Sequence, residues 1–186
     1  MRRRSALLLL SAMSAVPAFS ASLPRPAPEL IIDMPDGSQL NLNKYKGKVI
    51  AVEFLLTGCS HCQDASRTLA KLTKEYGPKG FQPVGGAIND DAAQQLAAFI
   101  KNQEVNYPIG LIKRDKAMAF LQHSVMMTMS MPQLVFVDRK GIIRAQYGGT
   151  SPFFNDEEKN MREQIESLLK ESIVTKAPSA AKKGKK

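Results

Sequence analysis

The sequence predicts an α/β domain: a central mixed β-sheet with helices on both faces, an N-terminal β-hairpin and an inserted helix. Three observations predict it. Residues 49–56, 81–88 and 133–138 read as long strands, the first almost wholly apolar, as a strand covered on both faces must be. Apolar residues recur at helical spacing at Ala65, Leu69, Leu72 and Tyr76, and again at Met161, Ile165, Leu168 and Leu169. Turn residues separate the runs at Pro35-Asp36-Gly37, Lys46-Gly47-Lys48 and Arg139-Lys140-Gly141.

The elements follow in order. Residues 29–33 and 38–42 flank the Pro35 turn and read as the hairpin. The strand at 49–56 runs into a helix that Gly77 is expected to stop. After the strand at 81–88, Asn89, Asp90 and Asp91 offer caps for a helix through Lys101, with Leu96, Phe99 and Ile100 inward. Residues 107–112 suit a short strand and 116–122 a short helix. The strand at 133–138 should pair with 142–147 across a turn capped by Asp138, and Gly148-Gly149 ends the sheet. Residues 156–173 form the last helix.

The chain has 186 residues, 44% of them hydrophobic and 23% charged, which fits one folded domain. Two cysteines cannot staple a disulfide-rich miniprotein. No apolar run reaches the roughly 18–20 residues of a membrane span. The net charge of +9 sits at the ends: three arginines at positions 2–4 and five lysines from Lys176 to Lys186. Without those eight, 18 basic residues face 17 acidic ones. A nucleic-acid-binding domain would carry its basic excess on the fold, so that function is excluded.

Residues 1–22 have the layout of a secretory signal peptide: three arginines, an apolar stretch from Ala6 to Val16, then small residues. Cleavage after Ser20 or Ser22 is expected, and an uncleaved anchor is the alternative. The body therefore faces an oxidising compartment, a bacterial periplasm. Residues 23–28 read as an extended linker, residues 29–174 as the domain, and residues 175–186 as a disordered basic tail that could touch an anionic membrane.

The chemistry centres on Cys59-Ser60-His61-Cys62, where an apolar strand meets a helix. Residues three apart on a first helical turn are neighbours, so the sulfurs can close a disulfide. Cys59 lies at the helix N-terminus, where free N–H groups and the dipole favour a thiolate. Cys62, one turn in and more covered, suits resolution of a mixed disulfide. A zinc site needs two more ligands, and only His61 and His123 remain. Haem attachment needs a histidine after the second cysteine, where Gln63 stands. A structural bridge closing so small a loop gains little chain entropy. A charged His61 would stabilise the Cys59 thiolate and make the disulfide more oxidising. Glu53 is a carboxylate in an otherwise apolar strand, six residues before Cys59. It can lie beneath the pair and take the Cys62 proton; the alternative is a surface position on an edge strand.

These residues together resemble the thioredoxin superfamily, and within it the exported TlpA- and ResA-like (redoxin-type) thiol–disulfide oxidoreductases. The resemblance covers residues 28–169: the opening hairpin, the cysteine pair, the helix after Asn89-Asp90-Asp91, Tyr107-Pro108, and Met131-Pro132 before a buried strand. It implies a thioredoxin-like fold, a cis Met131-Pro132 bond facing the sulfurs, and a backbone at Met131 that pairs with substrate. It also implies protein thiols or disulfides as partners, with a membrane electron donor among them, and no cofactor. A monomer is expected. Three positions depart from the pattern: Thr57-Gly58 precede Cys59 without an aromatic, Arg67 stands in place of a helix proline, and Glu53 replaces a frequent asparagine.

Two rival functions stand beside this one. Met126, Met127, Met129 and Met131, with His123 and the cysteines, could bind Cu(I) in a metallochaperone. The other reading of these methionines is an adaptable apolar wall for substrate, with Met129, Met131 and His61 as contacts. A peroxiredoxin-like peroxidase would need proline, then threonine or serine, ahead of Cys59, where Val52 and Leu56 stand.

Overall fold

The structure is a computed structural model and describes residues 22–174. The expected signal peptide, but for Ser22, and the expected basic tail lie outside these residues. The elements are β1 (Arg25–Pro26), β2 (Ile31–Asp33), β3 (Gln39–Asn41), β4 (Val49–Leu55), α1 (Ser60–Tyr76), β5 (Phe81–Ala87), α2 (Ala92–Asn102), β6 (Ile109–Leu111), α3 (Arg114–Leu121), β7 (Gln133–Val137), β8 (Ile142–Gly148) and α4 (Glu157–Val174). The strands form one sheet in the order β1-β8-β7-β4-β5-β6-β2-β3. β4 runs parallel to β5 and antiparallel to β7, so the sheet is mixed and β4 lies at its centre.

Strand alternation explains the layering. Val49, Ala51 and Leu55 of β4 join a core with α1, α2 and α4, whereas Ile50, Val52 and Phe54 join a second core with α3 and the β2–β3 hairpin. Both faces of β4 are thereby covered, which is why its run is apolar but for Glu53. Glu53 falls on the α1 side by the same alternation. β8 changes parity at a bulge: Phe136 faces Ala145 while Val137 faces Ile143. Arg144 is thereby left to pair with Asp138 at 3.1 Å.

Three local expectations are refined or corrected. First, α1 ends at Tyr76 with Gly77 as its C-cap, as expected, but Gly77 stays right-handed (φ −53°), and a 3₁₀ turn carries the chain on to Gly80, which takes the left-handed conformation (φ 98°). Pro78 suits that tight turn because its missing N–H falls where no helical partner is required. Second, β1 lies within the expected linker and pairs with Ile142–Ile143 of β8. Arg25 secures it: 6% exposed, its Nη2 donates to the Phe120 carbonyl at 2.9 Å and to Gln146 at 3.1 Å. The otherwise open edge of β8 and the free carbonyls at the end of α3 supply the partners. Third, Asp91 occupies the N-cap of α2 but its side chain bonds no helix N–H. It accepts from Asn89 Nδ2 at 2.6 Å and from Gln95, which leaves Asn89 to serve the loop before Cys59.

Candidate active site

The turn from β4 into α1 is closed by the Cys59 N–H, which donates to the Leu56 carbonyl at 3.1 Å. Asn89 holds it from the side, accepting from the Thr57 N–H at 3.1 Å and donating to Thr57 Oγ1 at 2.8 Å. Gln63 donates to the Thr57 carbonyl at 3.2 Å from within α1. Thr57-Gly58, where the related pattern has an aromatic, is thus fixed by amide hydrogen bonds.

Cys59 is the N-cap of α1, with extended backbone (φ −88°, ψ 120°), and its Sγ accepts the Cys62 N–H at 3.4 Å. A sulfur in that position takes up one of the free amide groups of the first turn, an arrangement that favours negative charge on it. Cys59 is half-buried and Cys62 is 0% exposed; both are free thiols. Burial pushes the Cys62 thiol far above the ordinary range, and the Cys59 sulfur and the Glu53 charge push the same way. His61 stands exposed on the first turn of α1, between the two.

Glu53 lies in the central strand at 0% exposure, not on an edge. Ser66 Oγ lies 3.1 Å from its Oε1 and 2.9 Å from its Oε2, and the Tyr107 hydroxyl donates to Oε2 at 3.0 Å. Burial pushes Glu53 up to about 8, against the opposing pull of these two hydroxyls, and the Glu157 charge adds a smaller upward push. A carboxyl that holds its proton near neutrality beneath a buried thiol can give or take one as that thiol reacts.

The Met131-Pro132 peptide is cis. Pro132 is buried, and Met131 and Cys59, both half-buried, pack against the α1-side core. The loop before Pro132 is held from both sides: Gln133 Nε2, at the start of β7, donates to the Ser130 carbonyl at 2.5 Å, and the Thr150 N–H, just after β8, donates to Ser130 Oγ at 3.3 Å. The methionines do not act as one set. Met126 and Met127 are 90% and 64% exposed, whereas Met129 is 5% exposed in the α3-side core. That burial corrects the expectation of a substrate contact at Met129: its surface goes to packing. His123 Nδ1 lies 2.9 Å from the Ser124 carbonyl.

Two polar residues of the site escaped the sequence reading. Ser66 follows Cys62 by one helical turn on the same face, a spacing that could have signalled it. Tyr107 reads in the sequence only as the start of a short strand and the first member of an X-Pro pair, and nothing local tells that its hydroxyl reaches Glu53 on β4.

Residues 12–165 match the sequence profile of the Redoxin family. The chain belongs to that family. This redoxin is 28% identical over 125 residues to the thioredoxin-like protein YneN of Bacillus subtilis, an alignment covering 67% of this chain and 70% of that one. Its fold matches a thiol:disulfide interchange protein of the thioredoxin family from Chlorobium tepidum with a TM-score of 0.67 and 22% identity, covering 80% of this chain and 98% of the other. It also matches the thioredoxin domain of a thiol-disulfide oxidoreductase from Bacteroides vulgatus, with a TM-score of 0.63 and 22% identity over 78% and 99% of the two chains. The fold is thioredoxin-like, with two cysteines close together at the start of α1.

Proposed function

We propose that this redoxin is an exported thiol–disulfide oxidoreductase that reduces disulfides of proteins in the periplasm. One observation carries the reading: a half-exposed sulfur caps a helix, and a fully buried second sulfur lies one turn in, where the charge of the buried Glu53 carboxyl acts on it. The Cys59 thiolate attacks a substrate disulfide, forming a mixed disulfide and releasing one substrate thiolate. Cys62 passes its proton to Glu53 and attacks the Cys59 sulfur. The Cys59–Cys62 bond forms, the second substrate thiolate leaves, and two electrons have moved to the substrate. The Met131 backbone, ahead of Pro132, docks the extended substrate segment. The TlpA-like pattern of residues supports reduction as the net direction. The signal-peptide layout of residues 1–22 supports export, and a membrane dithiol donor would return the electrons. The protein works as a monomer without a cofactor.

The test is the redox equilibrium with glutathione combined with trapping. A potential well below that of the glutathione couple, with Cys62→Ser accumulating mixed disulfides on exported proteins, is expected. A potential near −120 mV, the strongly oxidising end of the range, would reverse the direction. Failure of Cys62→Ser to trap any thiol partner would remove the activity.

A further inference from the structure

We propose that Tyr107 and Ser66 are positioning residues that hold the Glu53 carboxyl in one orientation through both of its protonation states, so that it can exchange a proton with the Cys62 sulfur. The inference rests on the reading of Glu53 as the proton acceptor for Cys62.

Glu53 sits on β4 between Gly85 of β5 and Leu134 of β7, so neither neighbouring strand brings a polar side chain to it. A carboxyl buried in such a place needs hydrogen bonds, and the kind of partner decides its chemistry. A cation would hold it ionised. Hydroxyls serve either form, because each can donate to a carboxylate and accept from a carboxylic acid. Both partners here are hydroxyls. Tyr107 OH donates to Oε2 at 3.0 Å. Ser66 Oγ spans both oxygens at 2.9 and 3.1 Å. With Oε2 taken by Tyr107, the proton sits on Oε1, where Ser66 can accept it. Two hydroxyls on one carboxyl form a set that survives the gain or loss of one proton.

The backbone fixes each member. Ser66 lies four residues after Cys62, so the two side chains are neighbours on the inner face of α1, with Cβ atoms roughly 5–6 Å apart. Tyr107 precedes Pro108, whose carbonyl accepts the Gly85 N–H at 2.9 Å, directly beside Glu53. A side chain at Gly85 would collide with Ile109, since its Cβ would lie 2.6 Å from Ile109 Cγ1. Among the described residues, the titratable groups acting on this cluster are Cys62, and through it Cys59, from α1, Tyr107 itself, and Glu157 from α4.

The proton balance is that of the resolving step: the thiol of Cys62 loses its proton to Glu53, the Cys62–Cys59 bond forms, and the substrate sulfur leaves with the electron pair of the broken bond. The experiment reads that step alone. The full chain in dithiol form is mixed with 5,5′-dithiobis(2-nitrobenzoate), and the two releases of chromophore are timed in stopped flow from pH 5 to 10. The first reports attack by Cys59 and the second resolution by Cys62. Removing one hydrogen bond that favours the charged form raises the pKa of the acid that accepts it. Tyr107→Phe and Ser66→Ala should therefore each move the rising limb of the second phase up by about one pH unit, and slow it roughly tenfold at pH 7. The first phase should not move, and Ser66→Thr should restore the limb. Either variant decides on its own. A wild-type limb in Tyr107→Phe or Ser66→Ala, with the limb lost in Glu53→Gln, overturns the positioning role. A limb that persists in Glu53→Gln instead overturns Glu53 as the acceptor, and the inference with it.

Discussion

A β-carbon on Gly149 would lie 2.0 Å from the carbonyl oxygen of Met131. The chain leaving β8 thus runs flush against the loop that precedes Pro132, and only the absence of a side chain allows it. Ser130 binds the same stretch, through its carbonyl to the Gly149 N–H at 3.4 Å and through its hydroxyl to Thr150. Gly149→Ala must push one backbone off the other. Such overpacking typically destabilises by about 1–3 kcal/mol. We expect a lower urea midpoint and slower reduction of a peptide disulfide, because Met131 is displaced along with the loop. Wild-type values for both would show that the loop yields without consequence.

The unequal burial of the two sulfurs predicts their reactivity. Cys59 is half-buried at a helix N-terminus, and Cys62 has no exposed surface. Iodoacetamide at neutral pH should label Cys59 in the dithiol form and spare Cys62 until the protein unfolds. Mass spectrometry of the alkylated peptides checks this. In the same logic, Cys62→Ser should hold a mixed disulfide and Cys59→Ser should form none. Equal labelling of both sulfurs in the folded protein would contradict the site as drawn.

Glu53 makes stability depend on pH in a direction opposite to that of a salt-bridged acid. Its pKa is pushed up to about 8 in the folded protein, from 4.5. Between those values the native state holds a proton that the unfolded chain has lost, so stability falls as pH rises through that window and levels off above it. Glu53→Gln removes this slope. The variant should match the wild type near pH 5 and exceed its unfolding free energy by on the order of 4 kcal/mol at pH 9. Urea titrations at the two pH values give the difference. A constant offset between the two proteins would mean that Glu53 does not carry the proton.

His61 bears on the potential through its charge. It is exposed on the first turn of α1, beside the capping sulfur. A positive charge there favours the thiolate and hence the reduced form. His61→Ala should lower the reduction potential, by on the order of 10–20 mV for an interaction of a few tenths to one kcal/mol. The effect should shrink in high salt. Equilibration with glutathione at two salt concentrations measures it.

The parts of this fold that depend on neighbours in sequence were readable, and those that depend on distant neighbours were not. The apolar run of β4 and the stripe Ala65, Leu69, Leu72 and Tyr76 announce a covered strand and an amphipathic helix, and both are found. Met131-Pro132 was expected to be cis from the resemblance, and it is. The end of α1 at Gly77 is found as expected, but the 3₁₀ turn through Pro78 that carries the chain on to Gly80 is too short to show a period in the sequence. β1 was missed because two residues carry no period, and its strand character comes from the open edge of β8 118 positions away in the register Arg25 to Ile143. The partners of Glu53 were missed for the same reason: Tyr107 is brought to it by the β5–β6 pairing, which no local pattern encodes.

The methionines before Pro132 divide into two classes with separable consequences. Met129 is buried in the α3-side core, whereas Met126 and Met127 stand in solvent with Val125. Truncating a buried methionine costs about 2–5 kcal/mol, so Met129→Ala should lower the melting temperature markedly. Met126→Ser with Met127→Ser should leave it unchanged, because exposed side chains make few packing contacts. If the exposed pair forms part of the wall against which substrate lies, the double variant should raise the KM for an apolar peptide disulfide several-fold and leave reaction with a small disulfide untouched. An anaerobic Cu(I) titration of the same variant separates the rival reading, in which loss of the two thioethers weakens metal binding and peptide kinetics stay as they were.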